Sequence, residues 1–155
     1  ADVVREVKSE VISLIGVLEH LQRPRDVLGA VRDNSRAEFL YLSLPLFSPS
    51  VVIESVFPEV MQRQLGGGHT HLYTEASIRR FSDEFDLTPV AEWWFGTDIM
   101  DLYRGVEIML RKAGDTEGLL DYWRSAVGPA IDSLQAVLDQ RRTASEVHVL
   151  FRKGR

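Results

Sequence analysis

The chain has 155 residues, 45% of them hydrophobic and 26% charged, with 23 acidic against 18 basic side chains and a net charge of −5. That length suits one domain around one core, and the acidic balance argues against a dedicated nucleic-acid binder. The absence of cysteine excludes disulfides, thiolate metal sites and cysteine catalysis and fits a reducing cytoplasm, and no apolar run reaches the roughly 20 residues of a spanning helix, so no membrane partner is expected.

Ala1 to Lys8 carries Val3, Val4 and Val7 at helical spacing and reads as the last turns of an amphipathic helix. Because the chain opens on Ala1 in what reads as mid-helix, we expect a fragment of a longer protein. Glu10 to Leu21, EVISLIGVLEHL, begins as an unbroken apolar run, the pattern of a strand at 10–17 covered on both faces. Gly16 lets the backbone turn at the carboxyl end of that strand, and the pair Glu19-His20 follows. In open α/β sheets this is where ligands bind, so position alone makes the acid and the imidazole site candidates.

Pro24 suits a first helical position, and Val27, Leu28 and Val31 carry a helix to about Arg32. Phe39 to Leu44, FLYLSL, is a second apolar strand that Pro45 stops. Two strands joined by a helix make a βαβ unit with parallel neighbours. Ser48-Pro49 opens a short helix through Val56, and Met61 to Tyr73, with Gly66-Gly67-Gly68 and then His69-Thr70-His71, reads as a mobile lid near strand ends. Thr74 caps a helix whose buried face holds Ile78, Phe81 and Phe85, and Thr88 to Phe95 is a third strand. Gly96-Thr97-Asp98 caps the next helix, and from Asp115 a longer helical stripe runs through Trp123, Ile131 and Leu138, broken at Gly128-Pro129. Ser145 to Arg152 alternates like a half-covered strand, and Arg152, Lys153 and Arg155 form a charged tail to which no function attaches.

The stretch Ser13 to Leu21, SLIGVLEHL, with Pro24 opening the following helix, resembles the fourth strand and turn of class I S-adenosylmethionine-dependent methyltransferases. His69 to Leu87, HTHLYTEASIRRFSDEFDL, also resembles a stretch common in that family. The whole order of elements is similar to the C-terminal half of such an enzyme, of the kind called methyltransferase domain 23-like. The resemblance implies an α/β fold: half of a Rossmann-like sheet of about four strands, ordered 10–17, 39–44, 145–152, 88–95, with the last strand antiparallel and helices on both faces. Residues 1–155 would form a single partial domain with a helical insertion at 98–140. The implied activity, in the intact protein, is transfer of a methyl group from S-adenosylmethionine to a small-molecule acceptor. The Gly-rich turn after the family's first strand and the acid ending its second are absent, and Gly66-Gly67-Gly68 does not join a strand to a helix and cannot replace them. Only Ile15, Gly16, Val17 and Leu18 match positions that line the cofactor.

Within that frame His20 is the candidate base with Glu19 beside it; the competing reading is a local cap and a packed imidazole. His69 and His71 face substrate or form a solvent-exposed loop, and Tyr73 belongs to pocket or core. Trp93 and Trp94 point to opposite faces of a strand, one toward the core, and Trp94 is the candidate to line a pocket for a flat or sugar-like acceptor unless the inserted helices cover it. Glu19, His20 and one of His69 or His71 have the ligand types of a Mg, Mn or Zn site. Metal-assisted relatives carry a further Glu where this chain has Gly16, so no metal is expected. The rival to an enzyme is a non-catalytic module that pairs, as a homodimer or with another chain, through the exposed edge of its first strand.

Overall fold

The computed structural model describes residues 1–60, 62–114 and 117–154. Met61 of the expected lid, Asp115 and Thr116 at the start of the expected long helix, and Arg155 of the charged tail lie outside the described residues. The elements are α1 (Asp2–Glu6), β1 (Val11–Ile15), a 3₁₀ turn (Leu18–His20), α2 (Pro24–Asp33), β2 (Phe39–Pro45), α3 (Pro49–Val56), α4 (Glu75–Glu84), β3 (Leu87–Phe95), α5 (Asp98–Lys112), α6 (Glu117–Val127), α7 (Ile131–Gln140) and β4 (Glu146–Lys153). Among the described residues no helix is long and apolar enough to cross a membrane. The chain divides into two compact units. One comprises Ala1–Pro45, Gly68–Trp93 and Glu146–Arg155, and the other Leu46–Gly67 and Trp94–Ser145.

The first unit holds the sheet, ordered β1-β2-β4-β3. β1 runs parallel to β2 with Val11 beside Phe39 and Ile15 beside Ser43, as a βαβ unit requires. β4 runs antiparallel to β2, from Phe39 opposite Arg152 to Pro45 opposite Glu146. This is the strand order and the antiparallel final strand that the resemblance implies. Alternation along β2 and β4 sends Leu40, Leu42, Leu44, Val147, Val149 and Phe151 to one face, where each is fully buried. α2 adds Leu28, Ala30 and Val31 to the core and α4 adds Ile78 and Phe81, whose ring stands edge-on to Phe151 at 6.0 Å. Thr74 caps α4 as expected, in a reciprocal box with Ser77.

Two expectations are corrected here. β1 buries Ile12 and Leu14 but exposes Val11 (48%) and Ile15 (61%), so it alternates and is not covered on both faces within this chain. Apolar residues at both phases of a period-two pattern cannot reveal which phase is covered. Neither tryptophan of β3 is in the core: Trp93 is 62% exposed, and Trp94 is half-buried with the Arg142 guanidinium 5.2 Å over its ring.

The second unit is helical: α3 and α5 pack together, and α5 also packs on α6 and α7. Pro129 lacks the amide that a continuing helix needs, and α6 gives way at Val127 to a 3₁₀ turn, Gly128–Ala130, before α7. Thr97 makes no side-chain cap on α5, against expectation. Asp98 turns inward instead and is wholly buried. Its Oδ1 accepts from Ser48 Oγ (2.7 Å), Ser50 N (3.0 Å) and Ser50 Oγ (2.8 Å), and its Oδ2 from Ser145 N (3.0 Å) and Gln135 Nε2 (3.3 Å). One carboxylate thus ties together the starts of α3 and α5, the first turns of α7 and the residue before β4. Gly96 is required beside it, because a Cβ there would lie 2.5 Å from Asp98 Oδ2 and 2.7 Å from Ser145 N.

Burial works to raise the Asp98 pKa, but the hydrogen bonds from Ser48, Ser50 and Gln135 outweigh it and hold the carboxyl below its ordinary value. A carboxyl depressed in the folded state stabilises the fold above its unfolded value, and that contribution is lost as pH falls through the folded one. Asp98→Ala, which leaves buried donors unpaired, is therefore expected to cost about 3–5 kcal/mol in urea unfolding at pH 7. Asp98→Asn should flatten the loss of stability expected on acidification below about pH 4.

Candidate functional site

The candidate residues after β1 lie in the first unit, at the carboxyl end of that strand. Gly16 takes a left-handed φ of +62°, where an L side chain is strained, and this turns the chain out of the strand into the 3₁₀ turn that carries Glu19 and His20. The loop 68–73 is laid against that turn by hydrogen bonds to one atom. The Glu19 carbonyl accepts from Thr70 N at 2.7 Å, His71 N at 3.2 Å and Thr70 Oγ1 at 2.9 Å. Tyr73 continues the attachment, its N–H donating to Pro45 O (3.1 Å) and its hydroxyl to Leu18 O (3.3 Å).

The loop thereby brings three of the expected residues together. His20 and His69 rings lie 4.9 Å apart, and one ligand-type atom from each of Glu19, His20 and His69 lies within 4.8 Å of the others. Glu19 is buried (4% exposed) and His20 half-exposed, with its Nε2 3.9 Å from Glu19 Oε1, the outer limit of an ion pair. Glu19 Oε2 is buried and has no hydrogen-bond partner among the described residues.

The protonation of the two anchored rings follows from their partners. His20 Nδ1 lies 3.3 Å from Gly68 O, and a carbonyl only accepts, so Nδ1 carries the proton and Nε2 of the neutral ring holds the lone pair. The single proton of Thr70 Oγ1 is directed to the Glu19 and Leu21 carbonyls, so His71 Nδ1, 2.8 Å from that oxygen, is the donor. His71 Nε2 is then also a lone-pair nitrogen. Tyr73 is buried and stacks at 6.3 Å on His71. Burial, and then the charge of Glu19, push its phenol up to about 12, so it remains a hydrogen-bond donor.

Of the expected cofactor wall, Ile15 and Gly16 are exposed and Val17 half-buried, while the Leu18 side chain is fully inside. Among the described residues, a Cβ built on Gly16 would meet only Glu19 Oε1, at 3.6 Å. The turn is therefore open enough for a ligand to approach its backbone. Trp94 belongs to the second unit. Sequence reasoning missed Thr70, whose hydroxyl is the clasp of the loop, and missed His148 and Tyr41 on the sheet. Alternation places Tyr41 and His148 on the polar phase of β2 and β4, but only the register of the two strands brings them together.

No family model and no curated protein matches this sequence. Solved structures do match, and with the strand order above they define the chain as having the fold of class I S-adenosylmethionine-dependent methyltransferases. Magnesium protoporphyrin IX methyltransferase from Synechocystis PCC 6803, with bound SAH, aligns with a TM-score of 0.52 and 10% identity over 97% of this chain and 48% of that one. A SAM dependent methyltransferase from Archaeoglobus fulgidus aligns with a TM-score of 0.51 and 10% identity over 98% of this chain and 64% of that one. The small RNA methyltransferase HEN1 aligns with a TM-score of 0.51 and 10% identity over 97% of this chain and 15% of that one. The chain thus spans 48% of the length of the first of these, about half.

Thr70→Val keeps the shape and removes the clasp. It is expected to cost about 1–2 kcal/mol in thermal unfolding and to speed amide exchange at residues 70 and 71 before the rest of the sheet.

Proposed function

We propose that this chain is part of an enzyme that transfers a methyl group from S-adenosylmethionine to a small-molecule acceptor, with His20 as the base. The observation that carries the reading is the lone pair of His20 Nε2, left available by the bond from Nδ1 to Gly68, beside a buried carboxylate at the carboxyl end of β1. The exposed turn Ile15-Gly16, with Val17, would form one wall for the cofactor, and Leu18 supports it from within. When bound, S-adenosylmethionine supplies a methyl group on an electrophilic sulfonium. His20 Nε2 would take the proton of an acceptor hydroxyl or amine, and Glu19 lies where the imidazolium charge develops. His69 and the Nε2 of His71 would orient the acceptor, with Tyr73 holding the His71 ring from behind. The outer edge of β1 is where the rest of the sheet, or a second copy, would add. A cytoplasmic location belongs to the same proposal.

A second reading of the cluster is favoured by the ligand atoms of Glu19, His20 and His69, all within 4.8 Å of one another, and by the buried Glu19 Oε2, which has no partner among the described residues. Oxygen and nitrogen ligands of this kind suit Mg, Mn or Zn, and a cation there would hold the acceptor oxygen in place of a base. The residues fit as three ligands, Gly16 leaving the position of a fourth to solvent or substrate.

In a longer protein that includes a Gly-rich strand-to-helix turn, His20→Ala is expected to lower turnover about 10²-fold without moving the melting temperature; equal turnover removes His20 from the mechanism. Calorimetric titration of this chain with manganese separates the two readings. Micromolar binding that disappears in Glu19→Gln supports the cation, and no binding leaves His20 as the base.

A further inference from the structure

The face of the sheet opposite the leucine core carries a hydrogen-bonded chain that the methyl-transfer reading does not use. Register sets Ser43 opposite His148 and Pro45 opposite Glu146, and the period of two sends Tyr41, Ser43, Glu146 and His148 to the same face. Ser43 Oγ donates to Glu146 Oε1 at 3.0 Å, His148 Nε2 lies 3.2 Å from that same oxygen, and Tyr41 OH lies 2.7 Å from His148 Nδ1. The direction of the chain is fixed by its carboxylate end. An ionised carboxylate only accepts, so Nε2 carries the ring proton, the neutral ring offers its lone pair at Nδ1, and Tyr41 donates its hydroxyl proton there.

A hydroxyl hydrogen-bonded to an imidazole whose far nitrogen is held by a carboxylate is the arrangement that activates serine in hydrolytic triads; here a phenol stands in the hydroxyl position. All the partners sit on strands, which fix geometry better than loops do. Trp93 stands edge-on to His148 at 5.5 Å and is 62% exposed, an apolar wall beside the chain.

We propose that Tyr41, His148 and Glu146 form a proton-transfer site for a hydroxyl-bearing substrate whose flat apolar part rests on Trp93. The proton of the substrate hydroxyl passes to the Tyr41 oxygen as the proton of Tyr41 passes to His148 Nδ1. The substrate is left as alkoxide or phenolate, and the imidazolium is balanced by Glu146. Ser43 positions the carboxylate. The site stands whether or not His20 is a base, since no residue is shared between the two.

The test uses an aryl sulfonyl fluoride, which forms an oxygen–sulfur bond with a phenol as the sulfur–fluorine bond breaks, fluoride leaving and the phenolic proton going to a base. The chain has four tyrosines, and Tyr122, 70% exposed, serves as the unassisted reference within the same molecule. Labelling followed by peptide mass spectrometry is expected to show Tyr41 reacting about tenfold faster than Tyr122 despite its lower exposure. His148→Phe should abolish that excess and Glu146→Gln should remove part of it, with circular dichroism unchanged. A purely structural hydrogen-bond ladder would leave Tyr41 slower than Tyr122, or its rate indifferent to both substitutions, and either result overturns the proposal. Should His148→Phe fail to fold, the ratio of Tyr41 to Tyr122 in the unaltered chain and the Glu146→Gln rate decide.

Discussion

The sheet depends on keeping one face free of polar atoms. Leu40 sits opposite Phe151, Leu42 opposite Val149 and Leu44 opposite Val147, and every one of these side chains is fully buried. Each contributes about 1.5–3 kcal/mol on leaving water. A slip of one residue would exchange this set for Tyr41, Ser43, Glu146 and His148, a set with polar atoms that would then have to be buried. The register is therefore strongly fixed, and the polar chain on the opposite face inherits its geometry from the apolar one. The parallel pairing of β1 with β2 sets their carboxyl ends side by side, since Ile15 lies next to Ser43.

From that end outward, positions are set by backbone groups more than by side-chain packing. Gly16 supplies the one conformation that directs the chain into the turn, and the Glu19 carbonyl then gathers three donors from residues 70 and 71. The loop that carries His69 and His71 is thus held by its neighbour in the site, so the distance from His20 to His69 is a consequence of main-chain hydrogen bonds. In His20, His71 and His148 alike, an oxygen partner at one ring nitrogen determines what the other nitrogen can do. Second-order contacts decide the chemistry available at each ring.

Much of this arrangement was legible from residue order. The βαβ unit follows from FLYLSL stopped by Pro45, the helix break from Gly128-Pro129, and the position of Glu19-His20 from its place after a strand. The strand order and the antiparallel β4 came from a resemblance to a family and not from the residues themselves. What escaped reading is non-local. Nothing near Val11 or Trp93 in sequence says whether a layer covers that face, so the pattern alone implies a β1 covered on both sides and one core tryptophan, which the structure does not have. The role of Thr70 depends on carbonyls about fifty residues away, and the burial of Asp98 depends on Ser48, Ser50, Gln135 and Ser145, so local sequence suggests only a cap. The Tyr41–His148 bond requires a strand register that periodicity alone does not give.

The buried carboxylates separate structure from function by how completely they are satisfied. Asp98 has donors on both oxygens, and Glu54 accepts from the consecutive amides of Arg63, Gln64 and Leu65. Such groups have their charge met within the fold, and their removal is a matter of stability. Glu19 is as deeply placed, yet one of its oxygens has no partner among the described residues, and leaving a buried acceptor unmet costs about 1–3 kcal/mol, more when it is charged. A fold bears that cost where a further group completes the site. The asymmetry between Asp98 and Glu19 is therefore a physical argument, independent of any resemblance, for the proposed site at the carboxyl end of β1.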